Sequence, residues 1–267
     1  MGKISYSQSL DPRRHLALEG TRNIRDLGGY KTMDGRITNW KTMLRADNLE
    51  KLSIDGQKEL VKYGVKTVID LRETKEIMES PNPFSKSNEV KYTHQNLIGD
   101  IPQITSDTLD MSQTEGFDRY LGNIQSIIRS YCRYIDVRKG QFHETLATLA
   151  TPGVLPALYH CNGGKDRTGL ISALVLGLVG VPNETIAEDY AITGKYLLSR
   201  HIMGQAKIGN DVSNMPWEEY RDIACPPTIM QATLEYIQQT YGSVEKYVCN
   251  IGLSSEQIEN IKKAMLV

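Results

Sequence analysis

The stretch 154–179 constrains this chain more than any other, because few folds can hold it. Residues 154–159 are apolar and short, which suits a strand buried on both faces. Residues 168–179 are apolar all round, which suits a buried helix. Only a tight, glycine-containing turn separates them. A strand that passes at once into a buried helix is a βα unit, and such units assemble into parallel sheets with helices on the faces.

The rest of the chain agrees. Residues 41–45, 65–71 and 90–97 read as further strands, the second strongly so because it is β-branched and apolar. Ser53 is placed to cap a helix running to Tyr63, and Gly64 to end it in a left-handed turn. Residues 73–79 fit a short helix stopped by Pro81 and Pro83. From Phe117 through Tyr120, Leu121, Ile124, Ile127, Ile128, Tyr131 and Tyr134 to Ile135, apolar residues recur every three or four positions, the stripe of an amphipathic helix. Residues 141–150 fit another helix. The stretch 183–267 reads as almost wholly helical, including 227–241 and a helix after a Ser254 cap. The expected class is therefore α/β, one domain over residues 1–267, with a mostly parallel sheet flanked by helices and a helical C-terminal part. The stripe within 116–150 is read as core packing, with a lid over the site as the second reading. Met203, Met215 and Trp217 are read the same way, as a helix interface or the site mouth.

Composition excludes several classes. A net charge of −1 gives no general attraction to nucleic acid or anionic membrane. The first ten residues are polar, without the apolar centre of a secretory signal. The longest apolar run, 170–181, is too short to span a bilayer. A cytoplasmic location is the default expectation, with leaderless secretion left open, and stable membrane insertion is not expected. The oligomeric state is not readable. Cys132, Cys225 and Cys249 have no metal-ligand spacing and read as reduced thiols, mostly buried. The five histidines form no ligand cluster, so neither a metal nor a cofactor is expected.

The chemistry belongs to His160-Cys161-Asn162-Gly163-Gly164-Lys165-Asp166-Arg167-Thr168-Gly169. A strand end fixes Cys161. Gly163 and Gly164 let the backbone curl so that successive N–H groups face inward. The following helix aims its positive end at the same point. The product is a nest of phosphate size, and its positive surroundings favour the nucleophilic thiolate. Arg167, six residues after Cys161, can fork onto two phosphate oxygens. Lys165 adds charge, and Asn162, Gly163, Gly164, Lys165, Asp166, Arg167 and Thr168 together form the expected phosphate-binding loop. The Thr168 hydroxyl is expected to bond the sulfur, and His160 to brace the loop.

Transfer from an ester also needs a proton donor for the leaving oxygen. Asp100, in a loop just after a strand, ranks first. Asp166, inside the loop, ranks second. Asp70 pairs with Arg72 in the preferred reading and positions the site.

At this point the loop resembles the signature of protein-tyrosine phosphatases. The Gly164–Gly169 portion is similar to the bacterial atypical subgroup active on phosphotyrosine and phosphoinositides, to which mycobacterial and listerial secreted phosphatases belong. Residues 23–30, Asp70-Leu71-Arg72, Tyr241-Gly242-Ser243 and Ile251-Gly252-Leu253-Ser254 extend the resemblance over nearly the whole chain. It implies a four- or five-stranded parallel sheet with an added helical lid. It also implies double displacement through a phosphocysteine, without metal, on a phosphoprotein or phosphoinositide partner. Asp100 resembles the family's acid, and Arg25 and Asp26 are read as site walls or as a buried ion pair. Gly163 departs from the family's usual alanine, and Asn162 is also unusual. A phosphate-binding pseudophosphatase and a sulfurtransferase are the alternatives. Retention of Cys161, Arg167 and a loop aspartate argues against the first, and the Thr168-Gly169 helix start against the second.

Overall fold

The computed structural model describes residues 8–99 and 124–267. Its centre is a five-stranded sheet. The strands are β1 (Arg25–Asp26), β2 (Met43–Ala46), β3 (Thr67–Asp70), β4 (Lys91–His94) and β5 (Ala157–His160). They lie in the order β1-β2-β5-β3-β4, with only the β1–β2 pair antiparallel. The expected strands are all present with shifted ends: β3 and β4 are shorter than expected, while β2 and β5 start later and run one residue further, to Ala46 and His160. β1 was not legible, because two residues carry no periodicity and the ladder with β2 alone defines them.

Register decides where the site sits. Ala46 and Asp70 both pair with His160, and Asp70 pairs with His94. Four parallel strands thus end side by side. The segments leaving Ala46, Asp70, His94 and His160 emerge on one edge, the edge where ligands gather in open parallel sheets.

Side chains alternate across the sheet. Met43, Ile69, Ala157 and Tyr159 join the larger core, built with the helices that follow. Leu44, Ala46, Val68 and Leu158 join a smaller core on the other face, with Leu52, Leu60 and Phe84. Burial of both faces explains why these strands read as continuous apolar runs.

The helices follow their local signals. α1 (Ile54–Tyr63) starts at Ser53, whose side chain accepts from Gly56 N–H, and ends at Gly64 with φ 113°. α2 (Thr74–Glu79) is stopped ahead of a turn of 3₁₀ helix at Pro83–Lys86. α3 (Ile124–Val137) and α4 (Lys139–Ala150) carry Tyr131, Ile135, Phe142 and Leu146 into the larger core. Phe117, Tyr120 and Leu121 lie outside the described residues. α5 (Asp166–Leu178) runs through the core and is buried almost throughout. α6 (Asn183–Ala191) and α7 (Thr193–Lys207) follow, then α8 (Trp217–Ala224), α9 (Pro227–Tyr241), α10 (Val244–Asn250) and α11 (Ser255–Met265). Ser254 caps α11 in a reciprocal box with Gln257. Among the described residues no helix is long and apolar enough to cross a membrane.

Candidate active site

The loop between β5 and α5 begins at Cys161, 1 % exposed, and ends on the first turn of α5. Each carbonyl from Cys161 to Lys165 is held by a donor pointing away from the loop's interior or into the helix. His160 Nδ1 lies 3.1 Å from the Cys161 carbonyl. Asn48 N–H donates to that of Asn162 at 3.0 Å. Asn23 Nδ2 donates to those of Gly163 and Gly164, at 3.0 and 3.3 Å. Arg45 Nη2 also donates to the Gly164 carbonyl, at 2.7 Å. Gly169 N–H takes that of Lys165 at 2.7 Å, the first bond of the helix. A peptide's N–H lies opposite its carbonyl, so tying the carbonyls outward turns the N–H groups inward. The first N–H groups of α5 have no intrahelical acceptor and face the same way. This is an anion cradle with a sulfur at its base.

Gly164 is the residue that requires glycine. It has φ 62°, and a Cβ there would sit 2.5 Å from the Ala46 carbonyl oxygen. Gly163 does not. Its nearest neighbour to a Cβ would be Leu197 Cδ1 at 3.7 Å, ordinary contact distance. The expectation that both glycines shape the curl is thus corrected to Gly164 alone.

Beneath the loop lies a fully buried charge cluster. Asp189 of α6 accepts from Arg25 Nε at 3.0 Å, from Arg45 Nη1 at 2.5 Å and from Tyr30 Oη at 2.9 Å. Arg25 Nη1 also bonds Asn23 Oδ1, which orients the Asn23 amide towards the loop. Burial alone raises a carboxyl, but the two guanidinium groups more than offset it and hold Asp189 below the usual range. Arg25 is therefore a support under the loop and not a site wall. Asp26 is not its partner. It binds Gly28 N–H, Lys41 N–H and Tyr63 Oη, so the reading of these two as an ion pair also fails.

A second support stands on the β3 side. Arg72 forks onto Asp70 at 2.8 and 2.6 Å and reaches Asn48 Oδ1 at 3.1 Å. Burial pushes Asp70 up, the Arg72 fork pulls it further down, and the carboxyl lies below its ordinary range. Asn82 accepts from Phe84 N–H, which turns its amide nitrogen onto His160 Nε2 at 2.7 Å. His160 Nε2 also lies 3.3 Å from Asp70 Oδ2, while Nδ1 faces the Cys161 carbonyl. Both ring nitrogens are engaged, as bracing requires.

Arg167 is gripped by Glu76 of α2 through both guanidinium Nη atoms, one at 3.0 Å. Burial lowers the arginine, but Glu76 and Cys161 raise it further, so it stays cationic. Lys165 Nζ donates to the Ala224 carbonyl at 3.1 Å and lies 3.4 Å from Asp166 Oδ1. Tyr131 Oη donates to Asp166 Oδ1 at 2.5 Å. The Thr168 hydroxyl is buried with no hydrogen-bond partner among the described residues, so the expected bond to the sulfur is not made here.

A cavity of about 310 Å³ opens over the loop. Cys161, Asn162, Gly163, Lys165, Asp166 and Arg167 line its polar floor. Leu197 and Arg200 of α7 and Tyr220, Ile223 and Cys225 of α8 and its end form the walls. Of the three aspartates weighed as acids, Asp166 lines this cavity, Asp70 is locked to Arg72, and Asp100 lies outside the described residues. Cys225 is buried, Cys132 half-buried and Cys249 exposed, against the expectation that most would be buried.

Asn23, Arg45, Glu76, Asn82, Tyr131 and Asp189 were not legible as site residues. Asn23 and Arg25 lie in a segment that carried a resemblance, which was the one signal. The others meet the loop only through tertiary contact.

A parallel sheet bearing a cysteine-floored, arginine-rimmed anion cradle on its carboxyl edge is the architecture of a tyrosine-phosphatase-type enzyme. The chain belongs to the tyrosine phosphatase family, whose family model matches residues 16–267. It is 28% identical over 229 residues to a tyrosine-protein phosphatase of Nostoc commune, covering 82% of this chain and 72% of the relative. It is 25% identical over 292 residues to the triple specificity protein phosphatase PtpB of Mycobacterium tuberculosis, covering 93% and 98%.

Two predictions follow the geometry. Gly164→Ala should abolish binding of inorganic phosphate, read by calorimetry, while Gly163→Ala keeps it within about threefold, because only the former meets backbone. Equal losses would overturn the distinction. Asp70 and Asp189 both have folded values below the unfolded value of about 4, so their contribution is complete above that pH and is lost progressively as pH falls from there through the lower folded values. Asp189→Asn should lower stability at pH 6 by about 3–5 kcal/mol. Its urea midpoint should also fall less between pH 6 and pH 3 than that of the wild type. Parallel pH profiles would remove Asp189 from the acid response.

Proposed function

We propose that this phosphatase hydrolyses phosphate monoesters by double displacement at Cys161, with phosphotyrosine as its leading substrate. The observation that carries the reading is the shared cavity. Cys161 and Arg167 line one pocket above a loop whose carbonyls are all tied away from its interior.

In the first step the Cys161 thiolate attacks phosphorus, an S–P bond forms and the bond to the ester oxygen breaks. Asp166 gives its proton to the departing oxygen. In the second step water attacks phosphorus, Asp166 takes a proton from it, the S–P bond breaks and the thiolate leaves with inorganic phosphate released. The loop N–H groups and Arg167 hold the equatorial oxygens through both steps, which is the main task in phosphoryl transfer. Glu76 fixes the guanidinium plane beforehand.

Asp166 replaces Asp100 as first choice for the acid. It lines the cavity floor, and Tyr131 Oη donates to its Oδ1. The apolar walls at Leu197, Tyr220 and Ile223 suit an aromatic ester. The mycobacterial relative is named for triple specificity, which supports phosphate esters beyond phosphotyrosine as secondary substrates. Lys165, buried in the same floor, supplies a further cation for them.

Phosphate release from a phosphotyrosine peptide should persist in chelator and vanish in Cys161→Ser. Chelator-sensitive release, or release by the serine variant, sinks the cysteine mechanism. Asp166→Asn should lower kcat about 10²–10⁴-fold on substrates with poor leaving groups. It should also flatten the basic limb of the pH profile, since an acid must be protonated to act. The same outcome in Asp100→Asn, with Asp166→Asn unaffected, would return the role to Asp100.

A further inference from the structure

Two tyrosines stand behind Asp166, and neither is among the described residues that line its pocket. Tyr131 of α3 gives its hydroxyl hydrogen to Asp166 Oδ1 at 2.5 Å. The hydroxyl of Tyr190 of α6 lies 3.1 Å from that of Tyr131. A phenol has a single hydrogen, so the first bond fixes the direction of the second. The order of donation runs from Tyr190 to Tyr131 to Asp166. The two rings meet edge to face, with centroids 6.2 Å apart at 89°, and both belong to the larger core. Gly169, on the first turns of α5, admits this packing. A Cβ there would lie 3.0 Å from Tyr190 Cδ2.

Oδ1 of Asp166 is an acceptor twice over. The Lys165 ammonium lies 3.4 Å from the same oxygen, and an ammonium only donates. A proton on Oδ1 would face the hydrogens of both donors. The proton of the neutral acid therefore belongs on Oδ2. The Asp166 side chain is 46 % exposed and Tyr131 is 2 % exposed, so the phenol is the fixed partner of the pair.

The charged and titratable groups around this carboxyl come from every element packed on it. Lys165 and Arg167 are its neighbours in sequence. Tyr131 and Tyr134 face it from α3, Tyr190 from α6 and Cys225 from the end of α8. Burial pushes all four of these upward, the thiol to about 11. They stay protonated at neutral pH, so the Tyr131 hydroxyl remains a donor while Asp166 titrates.

We propose that Tyr131 is a positioning residue for the acid step, seating Asp166 through Oδ1 and confining the transferable proton to Oδ2. This rests on the reading of Asp166 as the proton donor. A bond given to a carboxylate favours the charged form, so it helps Asp166 to release its proton in the first step. In the second step Oδ2 is the oxygen that takes the proton of water. Tyr190 acts one bond further back, by orienting the Tyr131 hydroxyl.

The test is the pH profile of kcat/KM on a phosphotyrosine peptide, whose basic limb reports the acid of the free enzyme. Tyr131→Phe loses one oxygen and keeps the ring. Its limb should move upward by about one pH unit, the equivalent of one hydrogen bond to a charged group. At the optimum its kcat/KM should fall about tenfold on the peptide, through lost orientation of the acid. It should stay within about twofold on an aryl phosphate whose phenol leaves without a proton. Tyr190→Phe should move the limb the same way by less. The double variant should go no further than Tyr131→Phe, because Tyr190 acts through Tyr131. A limb that stays in place, an equal fall on both substrates, or additive shifts would overturn the proposal. Tyr190→Phe carries the same test if Tyr131→Phe does not fold. If Asp166→Asn keeps the wild-type limb, the acid reading has failed separately. A carboxyl ¹³C titration of Asp166 then decides, with a higher midpoint in Tyr131→Phe expected and equal midpoints removing Tyr131 from its seating.

Discussion

Asp189 lies fully buried between the guanidinium groups of Arg25 and Arg45, and both arginines reach onward towards the catalytic loop. Arg45 donates directly to the Gly164 carbonyl. Arg25 acts through Asn23, whose amide spans the carbonyls of Gly163 and Gly164. Two cations around one anion leave a net positive charge under the loop. Buried ion pairs are weak sources of stability, because desolvation consumes most of the attraction. Here the arrangement acts instead by orientation. It makes outward carbonyls, and hence inward N–H groups, the low-energy state of the empty loop.

The remaining supports converge on the same loop from other directions. Asp70 and Arg72 hold Asn48, which holds Asn162. Asn82 and Asp70 hold one side of the His160 ring, whose Nδ1 faces the Cys161 carbonyl. Glu76 sets the plane of Arg167, and Ala224 receives Lys165. Lys165, Arg167 and the loop carbonyls have protein partners in place before substrate arrives, so little reorganisation is left for the transition state. This is the electrostatic preorganisation on which phosphoryl transfer depends.

What could be read in the sequence was what physics encodes locally. Ser53 with Gly64, the Ser254 cap, and the apolar runs of β3, β5 and α5 each state their element within a few residues, and the structure has them. The cradle was readable for the same reason, since strand, turn and helix are contiguous from Ala157 to Leu178. Its supports were not. Asp189 sits in an ordinary helical stretch and looks like a solvated carboxylate until Arg25 and Arg45 are brought to it. Glu76 lies 91 residues before Arg167, and Tyr131 lies 35 residues before Asp166. No local pattern announces such meetings. Gly163 misled in the other direction, because a glycine pair reads as two flexible positions where the backbone needs one.

The bond from Arg25 to Asp189 spans 164 residues. A ribosome that has released the chain as far as α5 has already delivered Cys161, Arg167 and every strand of the sheet. The carboxylate that seats both arginines is still missing, so the cradle has no fixed shape. The arrangement of Cys161 and Arg167 is therefore complete only after α6 has docked. Long-range closures of this kind come late in folding. The fold itself thus completes the loop around Cys161 only once a carboxylate of α6 has reached it.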